Sequence, residues 1–309
     1  MVNHLHQQGH DVVVFDNLST GHRQAVIDAE VVVGDIRDAD ALGTVFSRNQ
    51  IDAVMHFCAR SLVGESMVQP YDYYENNVSG TLTLLQAMQR ANVSKLVFSS
   101  TAAVFGNPQA QLINEDHATH PINPYGASKL MVERILRDAA NAYGLRSVSL
   151  RYFNAAGADP SASIGEAHDP ETHLIPNILR SVLGHGSALK VFGDDYETRD
   201  GTCVRDYVHV NDLASAHLAA VQFMQGNSGA HVFNLGNGTG FTVLEVIRAA
   251  EQVTGKSISF DRAPRRGGDP AVLVASSEKA RRELGWVPRF TDIADIIETA
   301  WRWHVDARY

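Results

Sequence analysis

The chain has 309 residues, 44% of them hydrophobic, which is enough for a substantial core built as two packed parts. A formal charge of −9 with dispersed basic residues excludes nucleic acid and anionic membrane as main partners. No apolar run approaches the ~20 residues of a membrane helix, and the start lacks the basic and apolar segments of a signal peptide. Cys58 and Cys203 stand far apart in no CxxC pattern, so two reduced thiols in a cytoplasmic protein are expected.

In chain order, residues 1–8 read as the tail of a helix stopped by Gly9. Residues 11–15 form an apolar strand ending at Asp16-Asn17, and 31–33 form another ending at Gly34-Asp35-Ile36. A helix is predicted over 39–50, a strand over 53–57 and a long helix over 76–91, with Leu82, Leu85 and Met88 marking its stripe. Residues 96–99 give the next strand, 125–143 a helix, and 147–151 a strand. Short apolar strands alternating with helices indicate a parallel sheet covered on both faces, the doubly wound, Rossmann-like α/β class.

Beyond Tyr152 the texture changes to loops rich in Gly, Pro and Asp, interrupted by a helix at 175–183. A helix at 209–224, a strand at 232–235 and helices at 243–254 and 293–307 follow. We expect a dinucleotide-binding domain over 1–153 and a smaller substrate lobe over 154–309, with about 205–238 passing back to the sheet. A dinucleotide-binding sheet opens with a strand, a glycine-rich turn and a helix whose N-terminus takes the pyrophosphate. This sequence begins inside that helix. The glycines that remain, Gly106 and those of Gly236-Asn237-Gly238-Thr239-Gly240, do not sit between the first strand and the first helix.

Asp16, at a strand end, suits both hydroxyls of an adenosine ribose and repels a 2′-phosphate, which favours NAD over NADP; the same residue also suits a turn cap. Asp35 at the next strand end supplies a second adenosine contact and tips the balance. Thr101 closes the 96–99 strand region, and Tyr125 and Lys129 lie at i and i+4 on one helix face. An ammonium and a charged nicotinamide ring both favour the phenolate, so Tyr125 becomes a general base for a sugar hydroxyl, with Thr101 bonded to the same hydroxyl. Arg205 and Arg266 are candidates for a diphosphate clamp, and Asp269 for ribose hydroxyls or a turn cap. His173 and His209 show no metal-ligand spacing with other His or Cys, and no metal is expected.

With these residues in hand, the chain resembles the UDP-glucose 4-epimerase family of the extended short-chain dehydrogenase/reductases along essentially its whole length. The resemblance rests on Asp16-Asn17-Leu18, Gly34-Asp35-Ile36-Arg37, Val63-Gly64-Glu65-Ser66, Asn76-Asn77-Val78-Ser79-Gly80-Thr81 and Phe98-Ser99-Ser100-Thr101. It continues through Asn123-Pro124-Tyr125-Gly126, Leu150-Arg151-Tyr152-Phe153-Asn154, Val204-Arg205-Asp206-Tyr207 and Ala263-Pro264-Arg265-Arg266. The resemblance implies NAD contacts from Asp16, Asn17, Asp35, Ile36, Phe57, Cys58, Ala59, Asn76, Ser99, Tyr125, Lys129 and Phe153. It implies a UDP-sugar site formed by Thr101, Tyr125, Asn154, Leu174, Lys190, Phe192, Arg205, Arg266 and Asp269. The implied reaction interconverts UDP-glucose and UDP-galactose by oxidation at C4, rotation of the 4-keto sugar about its diphosphate tether, and re-reduction on the other face. A homodimer through the helices at about 76–91 and 125–143 is also implied.

Three positions depart from the family pattern. Ser61 replaces a lysine near the cofactor phosphates, and His173 replaces an asparagine against the substrate. Leu273 replaces a bulky aromatic near the sugar, which leaves room for an N-acetyl group and makes UDP-GalNAc a substrate to test. Ala102-Ala103 stand where a 4,6-dehydratase needs an acidic pair, which argues against dehydration. Relatives carry about fifteen further residues with the central strand and phosphate loop. On that ground the sequence predicts weak NAD binding and low stability, and keeps a non-catalytic remnant and other UDP-sugar 4-epimerases, for UDP-arabinose among them, as alternatives.

Overall fold

The computed structural model describes residues 1–185, 188–266 and 270–309. Helix α1 (Val2–Gln7) gives way to Gly9, whose φ of 79° is the left-handed conformation that suits a glycine stop. Strand β1 (Val13–Asp16) pairs in parallel with β2 (Glu30–Val33). Helix α2 (Ala39–Arg48) is capped by Asp38, whose carboxylate accepts the N–H groups of Asp40 and Ala41. Strand β3 (Val54–His56) leads into α3 (Val63–Val68) and α4 (Pro70–Tyr74).

The predicted helix at 76–91 starts earlier and is not uniform. Pro70 occupies the first turn of α4, where its missing N–H costs nothing. A π-helical turn, Glu75–Ser79, joins α4 to α5 (Gly80–Arg90). A Cβ at Gly80 would lie 2.7 Å from Ile36 Cγ2, so glycine lets this helix close on the end of the second strand unit.

Strand β4 (Lys95–Thr101) is central, with Leu96, Val97 and Phe98 at 1% exposure or less. Helix α6 (Pro124–Tyr143) precedes β5 (Arg146–Tyr152). The second half contributes β6 (Asn154–Ala156), α7 (Leu174–Val182), β7 (Leu189–Phe192), β8 (Val204–Arg205), β9 (Tyr207–His209) and α8 (Val210–Gly226). Then come β10 (Ala230–Leu235), β11 (Phe241–Thr242), α9 (Val243–Thr254), β12 (Phe260–Ala263), β13 (Val272–Leu273) and α10 (Ile293–Val305).

The main sheet is parallel, in the order β10-β5-β4-β3. Among the described residues β1 and β2 bond only to each other, yet Phe15 and Ile36 join the same apolar cluster as Leu96 and Phe98. That cluster takes α2, α5 and α6 onto one face of the sheet; Val97, Val148 and Leu150 face α8 on the other. The strand predicted at 232–235 therefore returns to the sheet, as β10 beside β5. A third cluster, built from α7, α9 and α10, forms the core of the second half.

Candidate active site

The site is assembled where β4 ends. Thr101 is 8% exposed, and its hydroxyl accepts the Ala103 N–H at 3.1 Å, capping a 3₁₀ turn, Ala102–Phe105. Helix α6 starts beside that turn. Asn123 caps it by accepting the Gly126 N–H at 2.8 Å, and Pro124 fills the first helical position. A Cβ at Gly126 would sit 2.5 Å from the Ala103 carbonyl oxygen, so only glycine allows so close an approach. The first turn of α6 thereby brings Tyr125 to Thr101. One turn on, Lys129 Nζ donates to the Ser99 carbonyl at 2.7 Å and lies 5.9 Å from the centre of the Tyr125 ring. The three residues predicted as a proton-transfer group thus come together.

Their electrostatics differ from the expectation. Burial raises the pKa of Tyr125 above that of an ordinary phenol, with the neighbouring Thr101 hydroxyl working the other way. Burial also lowers Lys129 to about 7, against the opposing pull of Cys58 and Glu133. Desolvation penalises both charged forms, and the Lys129 ammonium directs its hydrogen bond to a backbone carbonyl rather than to the phenol. In the chain alone Tyr125 keeps its proton.

A stability prediction follows from Lys129. Its ordinary pKa is 10.5 and its folded value about 7, so between these values the unfolded chain binds more protons. Stability contributed by this site therefore rises with pH through that window, by up to about 1.4 kcal/mol per pH unit. Lys129→Met removes the buried ammonium. Urea unfolding should show the variant more stable than wild type at pH 6.5, with the gap narrowing by pH 9. A variant less stable than wild type at pH 6.5 would contradict the assignment.

Several supporting residues were not singled out from the sequence. The Tyr152 hydroxyl, at the end of β5, is hydrogen-bonded to the Ser99 hydroxyl, and burial pushes its pKa up to about 12. Glu133, one turn beyond Lys129, receives Arg151 Nε at 2.9 Å and the Ser100 hydroxyl at 2.6 Å on one oxygen, and Arg151 Nη2 at 2.5 Å on the other. Asn77 accepts the Arg60 N–H at 2.9 Å and donates to the Arg60 carbonyl and to the Ser128 hydroxyl, each at 3.0 Å. It thereby ties the segment after β3 to α6.

The residues predicted for the adenosine end of the cofactor also gather at strand ends. Asp16 accepts the Leu18 N–H at 2.7 Å through one oxygen. A Cβ at Gly21 would lie 3.4 Å from the other oxygen, so glycine leaves that face of the carboxylate uncovered. Asn17 donates to Asp35 at 3.2 Å. Asp35 is gripped by the Arg37 guanidinium at 2.8 and 2.9 Å, which holds its carboxyl well below the usual carboxylate range. Ile36 is buried, Phe57 is exposed with its ring tilted against His217 at 4.8 Å, and Cys58 and Ala59 are half-buried beyond β3. Asn76 donates to Asn77 at 3.0 Å. A carboxylate open for ribose hydroxyls at one end and a phenol beside a buried lysine at the other match the two ends of a nicotinamide dinucleotide.

In the second half, Asn154 donates to the Asp206 carbonyl at 2.8 Å and lines a small cleft with His173, Leu174 and Tyr207. Phe153 lies 6.5 Å from Phe105. The β7–β12 pairing sets Ala263 beside Phe192, and the Arg266 guanidinium sits 4.0 Å over the Phe192 ring. Arg205 donates to the Val204 and Pro270 carbonyls at 2.9 Å. Lys190 and Ser61 are exposed, and Asp269 lies outside the described residues. Leu273 packs with Phe105 and Ile113. The Gly236–Gly240 run encloses a group of the chain itself: Asp206 accepts the N–H groups of Asn237, Gly238 and Ala275, and a Cβ at Gly236 would lie 2.3 Å from its carboxylate.

Comparison with known proteins shows the family to which the chain belongs. Residues 1–236 match the model of the NAD dependent epimerase/dehydratase family. The chain is 53% identical over 300 residues to a UDP-glucose 4-epimerase of Halalkalibacterium halodurans, covering 97% of this chain and 90% of the relative. It is 52% identical over 306 residues to one of Streptomyces lividans, covering 98% and 92%. Among solved structures, UDP-glucose 4-epimerase from Brucella ovis in complex with NAD superposes with a TM-score of 0.95 at 46% identity, covering 97% of this chain and 92% of that one. The Bifidobacterium longum enzyme in complex with NAD+ and UDP gives 0.93 at 40% identity, covering 98% and 93%.

Proposed function

As a member of the NAD-dependent epimerase/dehydratase family, the chain, we propose, interconverts UDP-glucose and UDP-galactose by inverting C4 of the hexose. The observation that carries this reading is the meeting of Thr101, Tyr125 and Lys129 at the end of β4, with Ala102-Ala103 rather than acidic residues beside them. When bound, NAD supplies the reversible two-electron oxidation at C4. Tyr125 takes the proton of the 4-hydroxyl onto its phenolic oxygen and later returns it. Thr101 orients that hydroxyl, and Lys129 supports the phenolate from the same helix face. An acid group able to protonate a neighbouring sugar hydroxyl is missing from positions 102 and 103, so the 4-keto sugar keeps its other hydroxyls.

The sugar has to present both faces, so the grip belongs on the nucleotide diphosphate. Arg205 and Arg266 meet the diphosphate with guanidinium forks, while Asn154, Leu174, Lys190, Phe192 and Asp269 hold the nucleotide and sugar. Residues 1–153 serve as the cofactor-binding domain, contacting NAD through Asp16, Asn17, Asp35, Ile36, Phe57, Cys58, Ala59, Asn76, Ser99 and Phe153 besides Tyr125 and Lys129. Residues 154–309 serve as the UDP-sugar lobe. Exposed Leu82 and Met131, on α5 and α6, support a homodimer built on these helices. Two free cysteines, Cys58 and Cys203, fit an enzyme of the reducing cytoplasm.

The purified chain, incubated with UDP-galactose and with UDP-glucose in separate assays, should bring each to the same mixture of the two. Failure to convert either sugar in protein shown by absorbance to carry NAD would overturn the reading. UDP-GalNAc in a parallel assay tests the room beside Leu273, and no turnover would exclude that breadth of specificity.

A further inference from the structure

Between β6 and α7 the chain folds back and brings one donor atom each of Glu166, His168, Glu171 and His173 within 4.8 Å of one another. His168 Nδ1 lies 3.0 Å from Glu166 Oε1 and 3.7 Å from Glu171 Oε2. His173 Nδ1 contacts the same Glu166 oxygen and lies 3.8 Å from Glu171 Oε1. We propose that these four side chains form a binding site for one zinc ion that fastens the loop leading into the UDP-sugar cleft.

The donor set suits zinc. Two imidazole nitrogens and two carboxylate oxygens are borderline and hard ligands of the kinds zinc accepts in four-coordinate sites. With metal–ligand bonds of about 2.1 Å, the edges of a tetrahedron are about 3.4 Å. Separations of 3.0, 3.7 and 3.8 Å lie about that edge, while the closer His173–Glu166 contact is a hydrogen bond that has to lengthen as the ion enters. The carboxylates are also held. The Glu171 side chain is only 2% exposed, and its Oε1 accepts the N–H groups of Thr172 and His173 at 2.7 and 2.8 Å. The Glu166 backbone carbonyl accepts Trp303 Nε1 at 2.9 Å. Such outer contacts fix ligands before the metal arrives.

The sequence expectation of no metal considered only His and Cys partners for His173. Here half the ligands are glutamates, and spacing E-x-H-x-x-E-x-H becomes a cluster only because the loop reverses. Glu166 and His173 also line the cleft that contains Asn154 and Leu174, so the ion would brace one wall of it. All four ligands come from the chain and leave no position for substrate in a four-coordinate site, which assigns the ion a structural rather than a Lewis-acid role.

The test uses the full chain without a polyhistidine tag, exchanged into metal-free buffer, incubated with zinc sulfate, desalted and assayed for zinc by mass spectrometry. About one zinc per chain is expected, with a rise in Tm that chelation reverses. Glu171→Gln with His168→Ala should abolish retention, while circular dichroism checks the variant's fold. Cobalt(II) in place of zinc should give the intense visible bands of a four-coordinate site in wild type alone. Wild-type chain that retains no zinc overturns the proposal, and so does equal retention by the folded double variant. Zinc content is read without turnover, so this result is independent of whether the chain epimerises UDP-sugars.

Discussion

Tyr125→Phe is expected to lower kcat about 10³-fold while leaving KM within a few-fold, because only the proton-transferring oxygen is lost. The ring stays in place: it packs edge-on to Tyr73 at 6.5 Å, and the helix start that carries it is fixed by Asn123 and Gly126. Tm should move little, since removing a buried phenolic oxygen gives up one hydrogen bond but also its desolvation cost. A loss of less than tenfold would remove Tyr125 from the proton-transfer role. Measuring kcat across pH separates this from a packing defect. Wild-type kcat should rise with pH as the phenol ionises, whereas the residual activity of the variant should lose that dependence.

The second large effect is on stability. Arg151 and Glu133 are buried, with side chains 6% and 2% exposed, and their fork is the charged tie between α6 and the end of β5. Arg151→Met leaves the Glu133 carboxylate with the Ser100 hydroxyl as its remaining partner. Breaking a buried pair from one side costs about 3–5 kcal/mol, because the survivor is a desolvated charge. Urea unfolding should show that loss. Adding Glu133→Leu to the same chain should restore most of it, since well-packed apolar replacements of buried pairs are often neutral. Failure of the double variant to recover would mean that the pair is worth more than its mutual compensation. Ser100 and Arg151 flank Ser99, Thr101 and Tyr152, so Arg151→Met should also lower kcat by loosening the strand ends that seat Tyr125.

The two predictions draw on different parts of what the sequence discloses. Thr101, Tyr125 and Lys129 are legible because a strand end and an i, i+4 pair are local patterns. Strands β4, β5 and β10 are legible because parallel strands covered on both faces read as apolar runs, and Leu96, Leu150 and Leu235 are all fully buried. The Arg151–Glu133 fork is not, since its residues belong to different elements and meet only when α6 lies on the sheet. The same holds for Ser99 with Tyr152 and for Asn77 with Ser128, which are 53 and 51 residues apart. Short strands such as β8, β11 and β13 are invisible to periodicity, because two residues carry no period and their partners lie far along the chain. The start of α4 was hidden by Pro70, which reads equally well as a breaker and as a first-turn residue. The Gly236–Gly240 run shows a subtler limit. Its capacity to surround an anion is visible in the glycines, but the anion is Asp206 of the same chain, which no spacing rule connects to it.

The π turn between α4 and α5 puts one surplus residue into an otherwise continuous helix. Residues on an α-helix advance by about 100° each, so this surplus acts as a phase shifter between the two halves. Upstream of it Tyr73 is fully buried toward α3 and α6; at it Asn77 reaches Arg60 and Ser128; downstream Leu84 and Met88 face the sheet. Deleting one residue from 75–79 would make the helix regular and satisfy its local hydrogen bonding. It would also turn one half of that surface by about a quarter-turn against the other. The irregularity is thus a record of two demands on one rod, core packing at one end and loop anchoring at the other, that no single helical phase can meet.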